Sequence, residues 1–288
     1  MKEIDRAKIN EVREVLSAKL YEYVSIIINE YSEIIPQDII KYLNGVRDFK
    51  NVIRVEQTNT ISMFVNDGIM YFPTNAFSII DYLSKIPGYG LNKNHKTFTS
   101  DTLVLNDNTY LDYIIHMFVS GLTPLQFYEE TLLHETTHLC GVGGASAMRE
   151  GFAELKTREL AEKYSLKTSA CGYPKEVKIA LEIQNIFGKD IGDRIAFSKN
   201  DEEIMNLLTR TFGTEAATFL MRIQALMETS FEPYYSKNYP GIIGPLMKTR
   251  EYDKIDYRNV HELIQLYKGS IEFDSTRQNE TGIQQNRR

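Results

Sequence analysis

His134-Glu135-Thr136-Thr137-His138 sets two imidazoles and a carboxylate within five residues. On a helix, positions i and i+4 share a face, so His134 and His138 reach toward one point. Imidazoles so spaced suit a single metal ion. The glutamate between them stands beside the same face, placed to take a proton from a water that the metal polarises. Downstream, Glu150 and Glu154 repeat the i, i+4 spacing with carboxylates. Two histidines, a carboxylate and an open position make a catalytic zinc site of the His₂Glu kind, so the expected cofactor is Zn²⁺.

Such a site needs the motif on one helix and the carboxylates on a second helix brought back beside it. Thr123 is a suitable N-cap, Pro124 fits the first helical position, and Gln126 stands where a capping box places Glu or Gln. Leu125, Leu132, Leu133 and Leu139 supply an apolar side, and Gly141 follows Cys140 as a C′ residue. The glycine-rich linker Gly141–Ala145 favours an antiparallel helix pair. Ser146 then caps a helix running through Met148, Phe152, Leu155 and Leu160 to Tyr164. At a rise of ~1.5 Å per residue, His138 and Glu150 stand at similar heights on either side of the linker, and Glu154 comes level with His134. This ranks Glu150 as third ligand and Glu154 as the group orienting a histidine. Both lie on one face, so the exchanged assignment stays open.

Glu150-Gly151-Phe152-Ala153 resembles the E-G-F-A segment that follows the H-E-x-x-H helix in zinc aminopeptidases of the gluzincin clan. There the glutamate is the third zinc ligand. Thermolysin-like members are similar in a second respect: an acidic residue four positions later supports a zinc histidine, matching Glu154. The resemblance covers only the motif helix and the helix after it. The gap from His138 to Glu150 is shorter than in those aminopeptidases, and Arg149 stands where asparagine often precedes the glutamate. The clan implies a small sheet before the motif helix with an edge strand that binds extended peptide. It also implies a tyrosine or histidine donor to the oxyanion, for which Tyr234, Tyr235, Tyr239 and His261 are candidates by position.

Two other metal architectures fail on single residues. The metzincin pattern requires a ligand where Gly144 stands. A di-iron site requires a second Glu-x-x-His, and Glu135/His138 is the only one in the chain. The plainer alternative for Glu154 is an i, i+4 surface pair with Arg158, worth ~0.2–0.5 kcal/mol.

Of 288 residues, 42% are apolar and 25% charged, an ordinary globular balance with material for one large core. A net charge of −6 gives no footprint for nucleic acid or an anionic membrane. The charged start, Met1 to Arg6, carries no export signal, and Val24–Ile28 is too short to span a bilayer. The expected location is cytoplasmic, with Cys140 and Cys171 as free thiols.

Apolar spacing predicts helices over 3–31 and from Pro36 to Gly45. Short β-type runs follow at Val52–Val55, Ile61–Val65 and Ile69–Phe72, the last two joined by a hairpin turn at Asn66-Asp67-Gly68. Thr102–Leu105 reads as a further strand and Ile86–Lys96 as a loop. Later helices are expected over 175–187, 201–212, 215–229 and 259–268, with Gly188, Gly213 and Gly269 as stops. Phe231 to Gly241 reads as a tyrosine-rich loop, and 274–288 as a disordered tail. The expected class is α+β, mainly helical, with a small antiparallel sheet before a zincin-type active-site helix pair. The expected domains are a helical extension (1–50), a catalytic domain (51–273) and the tail. The expected function is a zinc-dependent metallopeptidase acting on a peptide or protein substrate. Hydrolysis of another amide bond and a non-catalytic metal-binding regulatory protein are the alternatives. Glu135 argues against the last, because a structural site needs no base.

Overall fold

The computed structural model describes residues 6–56, 64–73, 124–141, 146–166, 173–198, 201–236 and 251–285. Helices α1 (Arg6–Tyr31) and α2 (Gln37–Gly45) lead into a 3₁₀ turn (Phe49–Val52) and strands β1 (Ile53–Glu56), β2 (Phe64–Asn66) and β3 (Ile69–Pro73). Seven helices follow among the described residues: α3 (Pro124–Cys140), α4 (Ala147–Tyr164), α5 (Pro174–Phe187), α6 (Lys189–Phe197), α7 (Asp201–Phe212), α8 (Thr214–Ser236) and α9 (Arg258–Gln285). None of them is long and apolar enough to cross a membrane. The strand expected at Thr102–Leu105, the loop from Ile86 to Lys96, and Cys171 lie outside the described residues.

α1 buries Val12, Leu16, Leu20, Tyr23, Val24, Ile27 and Tyr31. These recur every three or four residues, a stripe wide enough to pack as a layer rather than as a heptad seam. That stripe lies on α3, with Lys19 of α1 and Glu129 of α3 bridging the rim at 3.8 Å. At its far end Tyr31 packs against Phe197 of α6, ring centroids 4.5 Å apart. The helix that carries the histidines is therefore held between α1 and the helices that follow it.

The sheet is mixed, which corrects the antiparallel expectation: its order is β1-β3-β2, with β1 parallel to β3 and β2 antiparallel to it. The register explains the choice. Ile53 pairs with Met70 and Val55 with Phe72, so the apolar alternation of both strands falls on the core face. The hairpin forms as the sequence predicts, with Asp67 and Gly68 at φ 50° and 72°, as a two-residue primed turn requires.

Three helical features differ from expectation. Gly188 ends α5 as expected, but α6 follows at once over residues where the sequence predicts no helix. Ile191, Ile195 and Phe197 carry it into the core. α8 runs on through Pro233, where a loop is expected. Proline inside a helix costs ~3 kcal/mol, but this one sits in the last turn, and Phe231 and Tyr234 beside it are buried. Each buried aromatic returns roughly 1.5–3 kcal/mol. α9 continues past Gly269 and the expected tail to Gln285. Val260 and Ile264 anchor its start in the core, and a nucleated helix propagates at low cost per residue.

Candidate metal centre

α3 and α4 carry the predicted residues, and the fold of each is locally explained. Thr136 and Thr137 lie mid-helix on α3 and are fully buried. Their hydroxyls donate back to the carbonyls of Leu132 (2.6 Å) and Leu133 (3.1 Å), so no polar group is stranded. Ser146 caps α4 by accepting from Arg149 N at 3.2 Å, and Glu228 of α8 accepts from Ala147 N at 2.8 Å. Arg149 pairs with Asp201 at 2.9 Å, which fixes the start of α4 immediately before Glu150.

Gly141 differs from its expected role. It is absent from the positive-φ glycines, so it is not a left-handed cap. It is small because a Cβ there would stand 2.7 Å from the carbonyl oxygen of Ala196. Cys140 before it is a buried free thiol, pushed up by burial.

The side chains converge on one point. His134 Nε2 lies 3.1 Å from His138 Nε2 and 3.2 Å from Glu150 Oε2, and His138 Nε2 lies 3.2 Å from that same oxygen. The two nitrogens and the oxygen thus form a nearly equilateral triangle. Ligands bound tetrahedrally at ~2.1 Å are ~3.4 Å apart, so one ion fits against it. A lone proton fits less well. It would draw one pair to the roughly 2.7–2.9 Å of a charge-assisted hydrogen bond and leave the others apart. His134, His138 and Glu150 are therefore compatible with a bound metal ion.

Glu154 takes the place beside this triangle. Its Oε2 lies 2.8 Å from His134 Nδ1, and its Oε1 accepts from Arg158 Nε at 3.3 Å. The Arg158 pair weighed as a surface alternative thus exists, but it braces a carboxylate that also holds a histidine. With Nδ1 held by Glu154, Nε2 is the His134 nitrogen that faces the triangle.

His134, Glu135, Glu150 and Glu154 are buried, and His138 is nearly so, its side chain 14% exposed against 11% for His134. Burial opposes charge on His134, yet its bonds to Glu150 and Glu154 outweigh this and hold its pKa well above the usual value. Burial pushes Glu150 and Glu154 up, but the opposing partners win and both end below the usual carboxylate range. For Glu150 these are His138 and His134, and for Glu154 they are His134 and Arg158. Glu135 goes the other way: burial raises it to about 7, against the pull of the two histidines.

Of the expected oxyanion donors, Tyr234 is buried with its ring 5.1 Å from Phe231 and 5.6 Å from Tyr252. His261 holds Glu182 at 3.2 Å. Tyr239 and the side chain of Tyr235 lie outside the described residues. One residue that sequence reasoning missed is Tyr173, whose ring stacks on His134 with centroids 5.6 Å apart and an interplanar angle of 23°. Tyr-Pro before a helix carries no chemical signature, and no spacing rule links it to the motif. No family model, curated protein or solved structure matches the chain.

Proposed function

We propose that the chain is a zinc-dependent metallopeptidase of gluzincin type, with His134, His138 and Glu150 as ligands. The observation that carries the reading is the triangle of two imidazole nitrogens and a carboxylate oxygen with 3.1–3.2 Å edges, one helical position from Glu135. Bound there, Zn²⁺ would supply Lewis acidity, polarising a scissile carbonyl and making water nucleophilic near neutral pH.

The protein's own groups do the rest. Glu135 accepts a proton from the attacking water and returns it to the leaving amine. Glu154 fixes the tautomer and edge of His134, and Arg158 keeps Glu154 ionised.

The deciding experiment combines metal analysis of the purified protein with a broad peptide-library digest. About one zinc per chain and cleavage abolished by chelation are expected. Stoichiometric zinc without cleavage of any peptide would replace the reading by hydrolysis of another amide or by a non-catalytic metal protein.

A further inference from the structure

We infer that Tyr173 is a positioning residue for the metal centre, its ring fixing the plane in which His134 presents Nε2. The inference rests on the cluster binding a metal, as the metallopeptidase reading holds.

Three local preferences are broken at this one residue. Tyr173 is the N-cap of α5, yet it offers no capping oxygen to the helix. Ser, Thr, Asp and Asn are the residues that do. Its backbone is left-handed at φ 50° and ψ 46°, a conformation that bulky side chains rarely adopt. It also precedes Pro174, whose ring disfavours helical backbone in the preceding residue and steers it to extended forms. Nothing in the local sequence selects this geometry, so tertiary contacts hold it. Strain of this kind persists where the surroundings over-determine a conformation, and it concentrates at functional sites.

What the strain achieves is the stack on His134. Glu154 grips the imidazole at a single atom, Nδ1, and one hydrogen bond leaves the ring free to tilt about it. A ring on the imidazole face removes that tilt. The brace is itself braced: Tyr173 has Phe231 and Tyr252 beside it, each at 6.3 Å between centroids. Tyr252 is anchored in turn, donating its hydroxyl to buried Glu176 at 2.5 Å. Lys175 Nζ donates to the carbonyls of Tyr252 (3.2 Å), Asp253 (3.0 Å) and Ile255 (2.7 Å), tying that segment to the start of α5. Edge and face of His134 are thus held from two different helices, α4 and α5.

The test uses cobalt(II) alone as the probe in the full chain, with affinity by chelator competition and ligand-field bands by visible absorption. Tyr173→Phe keeps the ring and should bind Co²⁺ like the parent with the same spectrum. Tyr173→Asn suits both the left-handed backbone and the N-cap but has no ring. It should stay folded, yet bind Co²⁺ about tenfold more weakly, the low end for loss of an outer-sphere partner, with altered bands. Phe219→Leu, which disturbs a distant aromatic stack with Tyr267, controls for mere destabilisation and should leave both readouts unchanged. In the metal-free protein, the His134 ring protons should lose an upfield ring-current shift in Tyr173→Asn only. Parental affinity and spectrum in Tyr173→Asn, or equal impairment in Tyr173→Phe, overturns the inference. Absence of Co²⁺ binding by the parent overturns the metal site itself, and the inference with it.

Discussion

α4 buries two charged clusters, and they are built in opposite ways. Toward α5 and α6, Lys156 is fully buried and meets Asp193 at 2.6 Å, Glu159 at 3.1 Å and Gln184 at 2.8 Å. Gln184 donates on to Glu159 at 3.2 Å, and Lys189 pairs with Glu159 from outside. Two ammonium groups face two carboxylates, so the charges balance. Toward α3, Glu150 and Glu154 face two histidines, and two ring nitrogens and a carboxylate oxygen meet within 3.2 Å of one another. The first cluster is complete, and the second is complementary to a cation. Burial and ion pairing alone would flag both as functional, and what separates them is the convergence of three possible ligand atoms on one point.

That contrast breaks most sharply if the triangle does not need its metal ligands. His134→Ala, His138→Ala and Glu150→Ala should each empty the site, read as zinc content after dialysis. Full retention in all three would erase the distinction between the clusters. Next, Glu135→Gln should keep zinc while peptide hydrolysis falls by roughly 10²–10⁴-fold. Cleavage at the parental rate would mean that Glu135 is not the base.

The complete cluster should respond in the other currency. Lys156→Met strands the buried Asp193 carboxylate and takes one of three partners from half-buried Glu159, and should cost about 3–5 kcal/mol of stability, measured by denaturant unfolding, while zinc content at low denaturant stays parental. Loss of zinc in the folded variant would show the two clusters to be one unit.

Buried Glu176 on α5 refines the comparison, because it is neither charge-balanced nor lacking donors. Glu176 receives hydroxyls from Tyr252 and Tyr257, each at 2.5 Å, and burial raises it from 4.5 to about 7. A folded-state pKa above the unfolded one favours the protonated fold. Its contribution is therefore full below pH 4.5 and is lost as pH rises through 7. The amplitude is on the order of 3 kcal/mol. Glu176→Gln should flatten stability between those pH values, and an unchanged pH slope would refute the assignment. The smallest effect is expected at Glu154. Glu154→Ala should weaken zinc binding by roughly 10–100-fold, less than Glu150→Ala. The reverse order would exchange their roles.

Much of this was legible because it is local. The stripe on α1, the Asp-Gly turn, the Ser146 cap of α4 and the level of Glu150 with His138 all follow from spacing. The parallel pairing of β1 with β3 was not, since strand partners are chosen by a shared core face that neither strand specifies alone. α6 was hidden because Gly188 does end a helix, and the next begins at once. Pro233 argued for a loop because local cost is visible in sequence while the burial of Phe231 and Tyr234 is not. Tyr173 was illegible for the same reason: its conformation is imposed by neighbours distant in the chain.

Gly151 follows Glu150, and a Cβ on it would lie 2.6 Å from the carbonyl oxygen of Glu176. The spacing of α4 and α5 therefore has a tolerance smaller than one methyl group. Any side chain at 151 must lift the start of α5, and Tyr173 and Glu176 travel with it. A carboxylate ligand can be transplanted onto many helices, but this clearance cannot. A designer moving the centre to another scaffold would need to carry across the empty volume beside the glutamate along with the glutamate.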